Sequence, residues 1–173
     1  MKAWLLGLAV LAGCATLPSP VTGGWSGKLG YRVDASSTQR AQAGSALFEL
    51  QGDARSGRML LTSPLGTALA EAQWTEHIAR LHDGQTWRDF PSLAALGEAL
   101  GVALQGPPLP LHALFDWLQG RPTPGEAHEP LPEGGFMQAG WRVLRQGDTQ
   151  WRIERSRADG GRFLLTLVLT PSP

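Results

Sequence analysis

Cys14 is the residue whose chemistry is most directly legible. It is the only cysteine in a chain of 173 residues, and it directly follows Leu11-Ala12-Gly13. An apolar run over residues 3–12 precedes it, itself preceded by Met1-Lys2. A basic start, a short apolar stretch and small side chains before a cleavage point make a secretory signal. A cysteine immediately after the small pair turns that signal into a lipobox. A diacylglycerol is linked to the thiol, a peptidase cuts between Gly13 and Cys14, and the freed amine is then acylated. Each buried methylene of such chains contributes roughly 0.8 kcal/mol, so three chains hold a protein on a membrane indefinitely. The run is too short to cross a bilayer itself, which takes about 20 apolar residues. The residue after the cysteine is Ala15 rather than Asp, which points to the outer membrane of a Gram-negative envelope. Residues 1–13 are thus expected to be removed, 14–24 to form a lipidated Pro- and Gly-rich tether, and 25–173 to fold as one domain facing the periplasm.

Other reactive constellations are missing. There is no Gly-x-Ser-x-Gly elbow, no His-Glu-x-x-His and no phosphate loop, and the single cysteine is committed to lipid. The four histidines, His77, His82, His112 and His128, are scattered. His77 and His82 are closest, but five apart on one strand they point to opposite faces. Neither an enzyme nor a metal protein is expected, and no cofactor beyond the lipid on Cys14. The mature chain keeps 160 residues, with 14 basic against 15 acidic side chains. That balance leaves no basic footprint for nucleic acid and no polybasic patch for anionic lipid. No disulfide can form within the chain, so packing alone must hold the fold. Seven tryptophans to one tyrosine call for a large apolar surface to receive them.

The elements that carry these residues follow from periodicity. Trp25, Gly27, Leu29, Tyr31 and Val33 alternate with polar residues, as a strand with one apolar face does. Further strands are expected at 44–50, 58–62, 67–74, 77–81 and 85–88, with Asp83-Gly84 as a hairpin turn. The period then becomes helical. Ser92 is a candidate N-cap for Leu93, Leu96 and Leu100, with Gly101 closing the helix. A second helix begins at Leu111 and stops at Gly120. Residues 123–133 are expected as a loop, and 136–146 with 150–155 as a hairpin about Gly147-Asp148. The final strand, 162–170, is apolar on both faces and belongs in the interior of a sheet. Strands, two short helices, then strands again make an α+β domain. Small residues such as Gly44, Ala46, Ala68, Ala70 and Ala72 leave room beside large aromatics. That room serves either a pocket or close packing, and the sequence fits both.

Several stretches in order resemble the LolB family. These are the lipobox at Cys14, Trp25-x-Gly27-x-Leu29, Leu61-Thr62-Ser63-Pro64-Leu65-Gly66, Pro108-Leu109-Pro110-Leu111, Leu114-x-x-Trp117-Leu118-x-Gly120-x-Pro122, and Gln138-x-Gly140-Trp141-x-Val143. The chain has Phe48-Glu49-Leu50 where the family carries Phe-x-Trp. The resemblance implies a strongly curved, half-open antiparallel sheet, an incomplete barrel, with short helices plugging its mouth. It implies an outer-membrane receptor, acting as a monomer, that accepts client lipoproteins from the periplasmic carrier LolA and places them in outer-membrane lipid. Trp25, Leu29, Phe48, Leu50, Met59, Leu61, Trp117 and Trp141 would form the acyl-chain cavity. Pro64, Leu65 and Gly66 would form the loop that enters the membrane. Leu65 is anomalous on physical grounds too, because turns are normally solvated. The other option for it is folding back onto the sheet. The competing reading of the whole chain is a structural lipoprotein that binds protein partners without moving acyl chains.

Overall fold

The structure is a computed structural model and describes residues 24–37 and 39–170. Cys14, the signal and the tether up to residue 23 lie outside the described residues. Alternation along the first apolar stretch produces β1 (Gly24–Val33), which begins one residue earlier than its pattern suggests. The chain continues through β2 (Gln42–Gly52), β3 (Gly57–Thr62), β4 (Ala68–Trp74), β5 (Ala79–His82) and β6 (Trp87–Phe90). Helices α1 (Leu93–Ala103) and α2 (Leu111–Trp117) follow. Strands β7 (His128–Pro130), β8 (Phe136–Gln138), β9 (Trp141–Gln146), β10 (Gln150–Ser156) and β11 (Arg162–Leu169) complete it.

All eleven strands join one antiparallel sheet in the order β6-β5-β4-β3-β2-β1-β11-β10-β9-β8-β7. The sheet is curved and does not close, so the fold is the open α+β arrangement expected. The doubly apolar β11 sits between β1 and β10, in the interior of the sheet. Register lines the inner face with apolar rows. Trp25 lies opposite Leu50, Leu50 opposite Met59, and Met59 opposite Ala72. A second row runs Val143, Ile153, Leu165 and Tyr31. Both helices lie against this face. Phe115 of α2 meets Trp25 and Trp74 edge-on at 5.9 and 6.0 Å.

The strand ends sort into two groups. Gly24, where the tether joins, lies beside Gln51, at the end that holds the 53–56 and 147–149 turns. The turns over 63–67, 83–86 and 157–161 lie at the opposite end. No helix among the described residues is long and apolar enough to cross a membrane.

Four expectations need correction. Helix α1 runs through Gly101 to Ala103. Gly101 is buried mid-helix because a Cβ there would meet the Pro107 carbonyl at 2.5 Å. The helix is capped by Leu104, and Gln105 just beyond it takes the left-handed conformation (φ 52). Gln105 N–H donates to Val102 O and Gly106 N–H to Gly101 O, the paired bonds of a Schellman motif. Second, the strand expected over 136–146 is two strands. Ala139 and Gly140 both have positive φ (49 and 76), so they turn β8 straight back into β9. Third, the 123–133 loop contains the edge strand β7, paired only to β8. Fourth, β5 starts at Ala79, which leaves His77 in the preceding turn.

Candidate functional site

The loop around Leu65 is built from its sequence upward. Pro64 presets the first central position of a turn. Gly66 supplies the positive φ (84) that a three-residue hairpin loop needs at its last position. Gly66 N–H donates to Ser63 O (2.9 Å), and Ser63 N–H donates to Thr67 O (2.8 Å). The Ser63 hydroxyl accepts from the N–H groups of Leu65 (3.3 Å) and Thr67 (3.2 Å). The backbone is therefore tied from inside, and the leucine is left outside it. Leu65 is 94% exposed, the highest value among the exposed large apolar residues. It does not fold back on the sheet. The next strand opens with a bulge opposite Leu61 and Thr62, and Leu69 beside it is also exposed.

The eight residues expected to handle acyl chains all join one apolar cluster on the inner face, but they divide by exposure. Phe48, Leu50, Trp117 and Trp141 are buried, with Trp117 at 0%. Trp25, Leu29, Met59 and Leu61 are only partly buried and pack against that cluster. Tyr31, Ala70, Leu93, Leu100 and Leu114 continue the same half-covered strip. Accessible apolar surface thus lies along β1, β3 and the helices, with the buried Phe48 and Leu50 between the two strands on β2. Of the two jobs that the sequence allowed, close packing is visible at the glycines. A Cβ on Gly44 would run into the Tyr31 ring, and one on Gly57 into Trp74, so these glycines serve close packing. Ala68 and Ala70, further along β4, stay at least partly open.

One polar device escaped the sequence reading. Gln138 is 2% exposed, and its amide oxygen accepts from Trp117 Nε1 (2.8 Å) and from the Thr123 N–H (2.9 Å). Its amide nitrogen donates to Thr123 O (3.0 Å). Trp151 Nε1 donates to the Trp117 carbonyl (2.7 Å). Two of these bonds fasten the end of α2 to β8 and β10, and the other two tie the segment after it, at Thr123, to β8. Trp117 also meets Phe136 and Trp141 at 6.4 Å. A lone glutamine before a turn gives little warning of this role. The signal was two indole N–H groups that have to find acceptors if their rings are buried.

The outer face is polar. Glu154, 8% exposed, is its centre. Burial alone would raise its pKa, but hydrogen bonds from Arg152 and Arg142, with the charges of Arg152 and Arg162, outweigh that and hold it below the ordinary glutamate value. Arg142 is paired to Glu133 as well. Among the described residues no group of His, Cys, Asp and Glu is placed to hold a metal.

Comparison with known proteins agrees with this architecture. The family profile described as "Outer membrane lipoprotein LolB" matches residues 25–159. The Outer-membrane lipoprotein LolB of Bordetella pertussis is 32% identical over 181 residues, covering 94% of this chain and 88% of the relative. The protein of the same name from Bordetella petrii is 32% identical, with 98% and 86% covered. That of Neisseria meningitidis serogroup A is 30% identical over 110 residues, 64% of this chain and 55% of its own. With the profile matching most of the domain and relatives aligned along nearly its whole length, the chain belongs to the LolB family of outer-membrane lipoproteins.

Proposed function

We propose that this protein accepts lipoproteins from a LolA-type carrier, holds their acyl chains against its half-open inner face, and releases them into the outer membrane. The observation that carries this reading is the strip of half-covered apolar side chains on the inner face, Trp25, Leu29, Met59 and Leu61. Apolar surface left partly uncovered inside a curved sheet is what an acyl chain can bury. Acyl chains exposed to water cost roughly 0.8 kcal/mol per methylene. Movement without fuel therefore requires rising affinity from carrier to receptor to bilayer. A strip that only half covers a chain holds it less well than a membrane does. Lipid on Cys14 fixes the receptor to its target membrane, and Leu65 makes the contact through which chains pass.

The test is transfer from a carrier loaded with a labelled triacylated lipoprotein to the mature chain carrying Cys14→Ala, each protein then being isolated separately. Label should move onto this protein and not return. Label remaining on the carrier, with the receptor folded, would refute the reading and leave a structural lipoprotein.

A further inference from the structure

The turn over 83–86 lies at the same end of the sheet as the Leu65 loop. The two are neighbours: a Cβ built on Gly84 would stand 3.8 Å from the Leu69 carbonyl, just beyond that loop. The first residue of β6 after the turn is Trp87. It is 41% exposed on the outer face and lies opposite His82 in register. Its ring is held rather than loose. The Arg80 guanidinium sits 4.5 Å over it, and the His82 ring is 5.2 Å away. His82 is fixed in turn, because its Nδ1 accepts from the Gly84 N–H (3.3 Å). The remaining tryptophans from Trp25 onward are buried or partly buried, and Trp74, Trp117 and Trp151 all give their ring N–H to protein oxygens. The Trp87 ring N–H has no acceptor among the described residues.

We propose that Trp87 is a second membrane contact, seated at the boundary between headgroups and acyl chains of a zwitterionic phospholipid bilayer when Leu65 enters it. The inference rests on the reading of Leu65 as the inserting residue. An indole with an apolar body and a free N–H is suited to that boundary, where one end is apolar and the other wet. Its charged neighbours balance. Arg88 lies 3.7 Å from Asp83, and Arg80 is paired in register with Asp89. A neutral mixture of both signs matches headgroups that carry both a phosphate and an amine. Strand addition by a protein is the rival use of this edge. Strand β6 is four residues long and carries Arg88 and Asp89, features that discourage pairing with another chain.

The test uses the lipidated mature protein in phosphatidylcholine–phosphatidylethanolamine vesicles, with and without brominated acyl chains. Tryptophan emission should be quenched by bromine in the parent, and that quenching should fall in Trp87→Phe, which keeps a ring against Arg80. Delivery of client to vesicles by Trp87→Ala should drop roughly tenfold, from loss of a partly buried aromatic surface, with uptake from the carrier unchanged. Quenching that is the same in parent and Trp87→Phe overturns the proposal. If Leu65→Glu still blocks delivery in that case, the Leu65 reading survives it. Quenching that depends on Trp87 beside normal delivery by Leu65→Glu supports the Trp87 contact and removes Leu65 instead. A delivery defect in Trp87→Ala without bromine quenching shows a protein contact and overturns the bilayer proposal.

Discussion

The two halves of the inner face use the same residue types to opposite ends. On the β8–β11 side, Trp117, Trp141, Trp151, Ile153 and Phe163 are all at or below 2% exposure, and Gln138 bonds α2 in place. On the β1–β4 side, Trp25, Leu29, Met59 and Leu61 point into the same concavity but remain partly uncovered. One half behaves as a finished core, close-packed and bonded at its polar atoms. The other half mixes buried side chains, Phe48, Leu50 and Trp74 among them, with apolar ones that stay partly uncovered. Among the aromatic contacts of the described residues, Phe115 bridges the two halves, touching Trp25 and Trp74 from the helix that Trp117 anchors. On the proposed function, the closed side stays still while the other is filled. Residue type alone therefore does not separate core from binding wall. What separates them is how completely the neighbouring side chains close over each position.

The comparison can be broken most sharply at Trp117. Trp117→Ala removes a fully buried ring, and unfolding by denaturant should show a loss of about 3–5 kcal/mol. A loss under about 1 kcal/mol would mean that the closed half is not a finished core. Gln138→Leu leaves the Trp117 N–H and both Thr123 backbone groups without partners. At about 1–3 kcal/mol for each buried group left unsatisfied, its midpoint should also fall clearly. Met59→Ser, on the open half, should cost only about 1 kcal/mol yet weaken acyl-chain retention in a fluorescent fatty-acid displacement assay. Retention equal to the parent would remove Met59 from the wall. Lowering the pH probes neither half but the outer face behind the closed one. The Glu154 carboxylate is held below its ordinary value, so its contribution is present above the ordinary glutamate pKa and is lost as pH falls through the depressed one. Thermal unfolding of Glu154→Gln should therefore differ from the parent at neutral pH and converge with it in acid. The smallest stability effect belongs to Leu65→Glu, within about 0.5 kcal/mol, although delivery to liposomes should be abolished. Normal delivery by that variant would end the insertion reading.

Much of this arrangement can be read from residue order, and the parts that cannot have physical causes. Alternation placed β1 and β2 within a few residues, because one face is wet and the other is not. Ser92 marked the start of α1, and its hydroxyl accepts from Ala95 N–H at 3.1 Å. Asp83-Gly84 and Gly147 marked turns that are present. The β8–β9 turn was hidden because Ala139 holds a positive φ that alanine does not announce. Gly101 looked like a helix end because glycine serves both there and where a connector presses on a helix. Strand β7 was invisible because its three residues are exposed and paired on one side only. The Leu65 loop was legible from Pro64 and Gly66 alone. The split between the closed and open halves was not, since both use the same residue types and only packing in the folded sheet separates them.

The topology also fixes a matter of length. The tether meets the sheet at Gly24, whereas Leu65 projects from the other end of the neighbouring strands. A ten-residue strand such as β1 spans about 33 Å. The segment from Cys14 through residue 23 has ten residues, and fully extended it reaches about 35 Å. If Cys14 carries acyl chains and Leu65 enters the same leaflet, as proposed above, this leash has little slack. Its length then decides how far the domain can lean, and so which end of the sheet meets the bilayer.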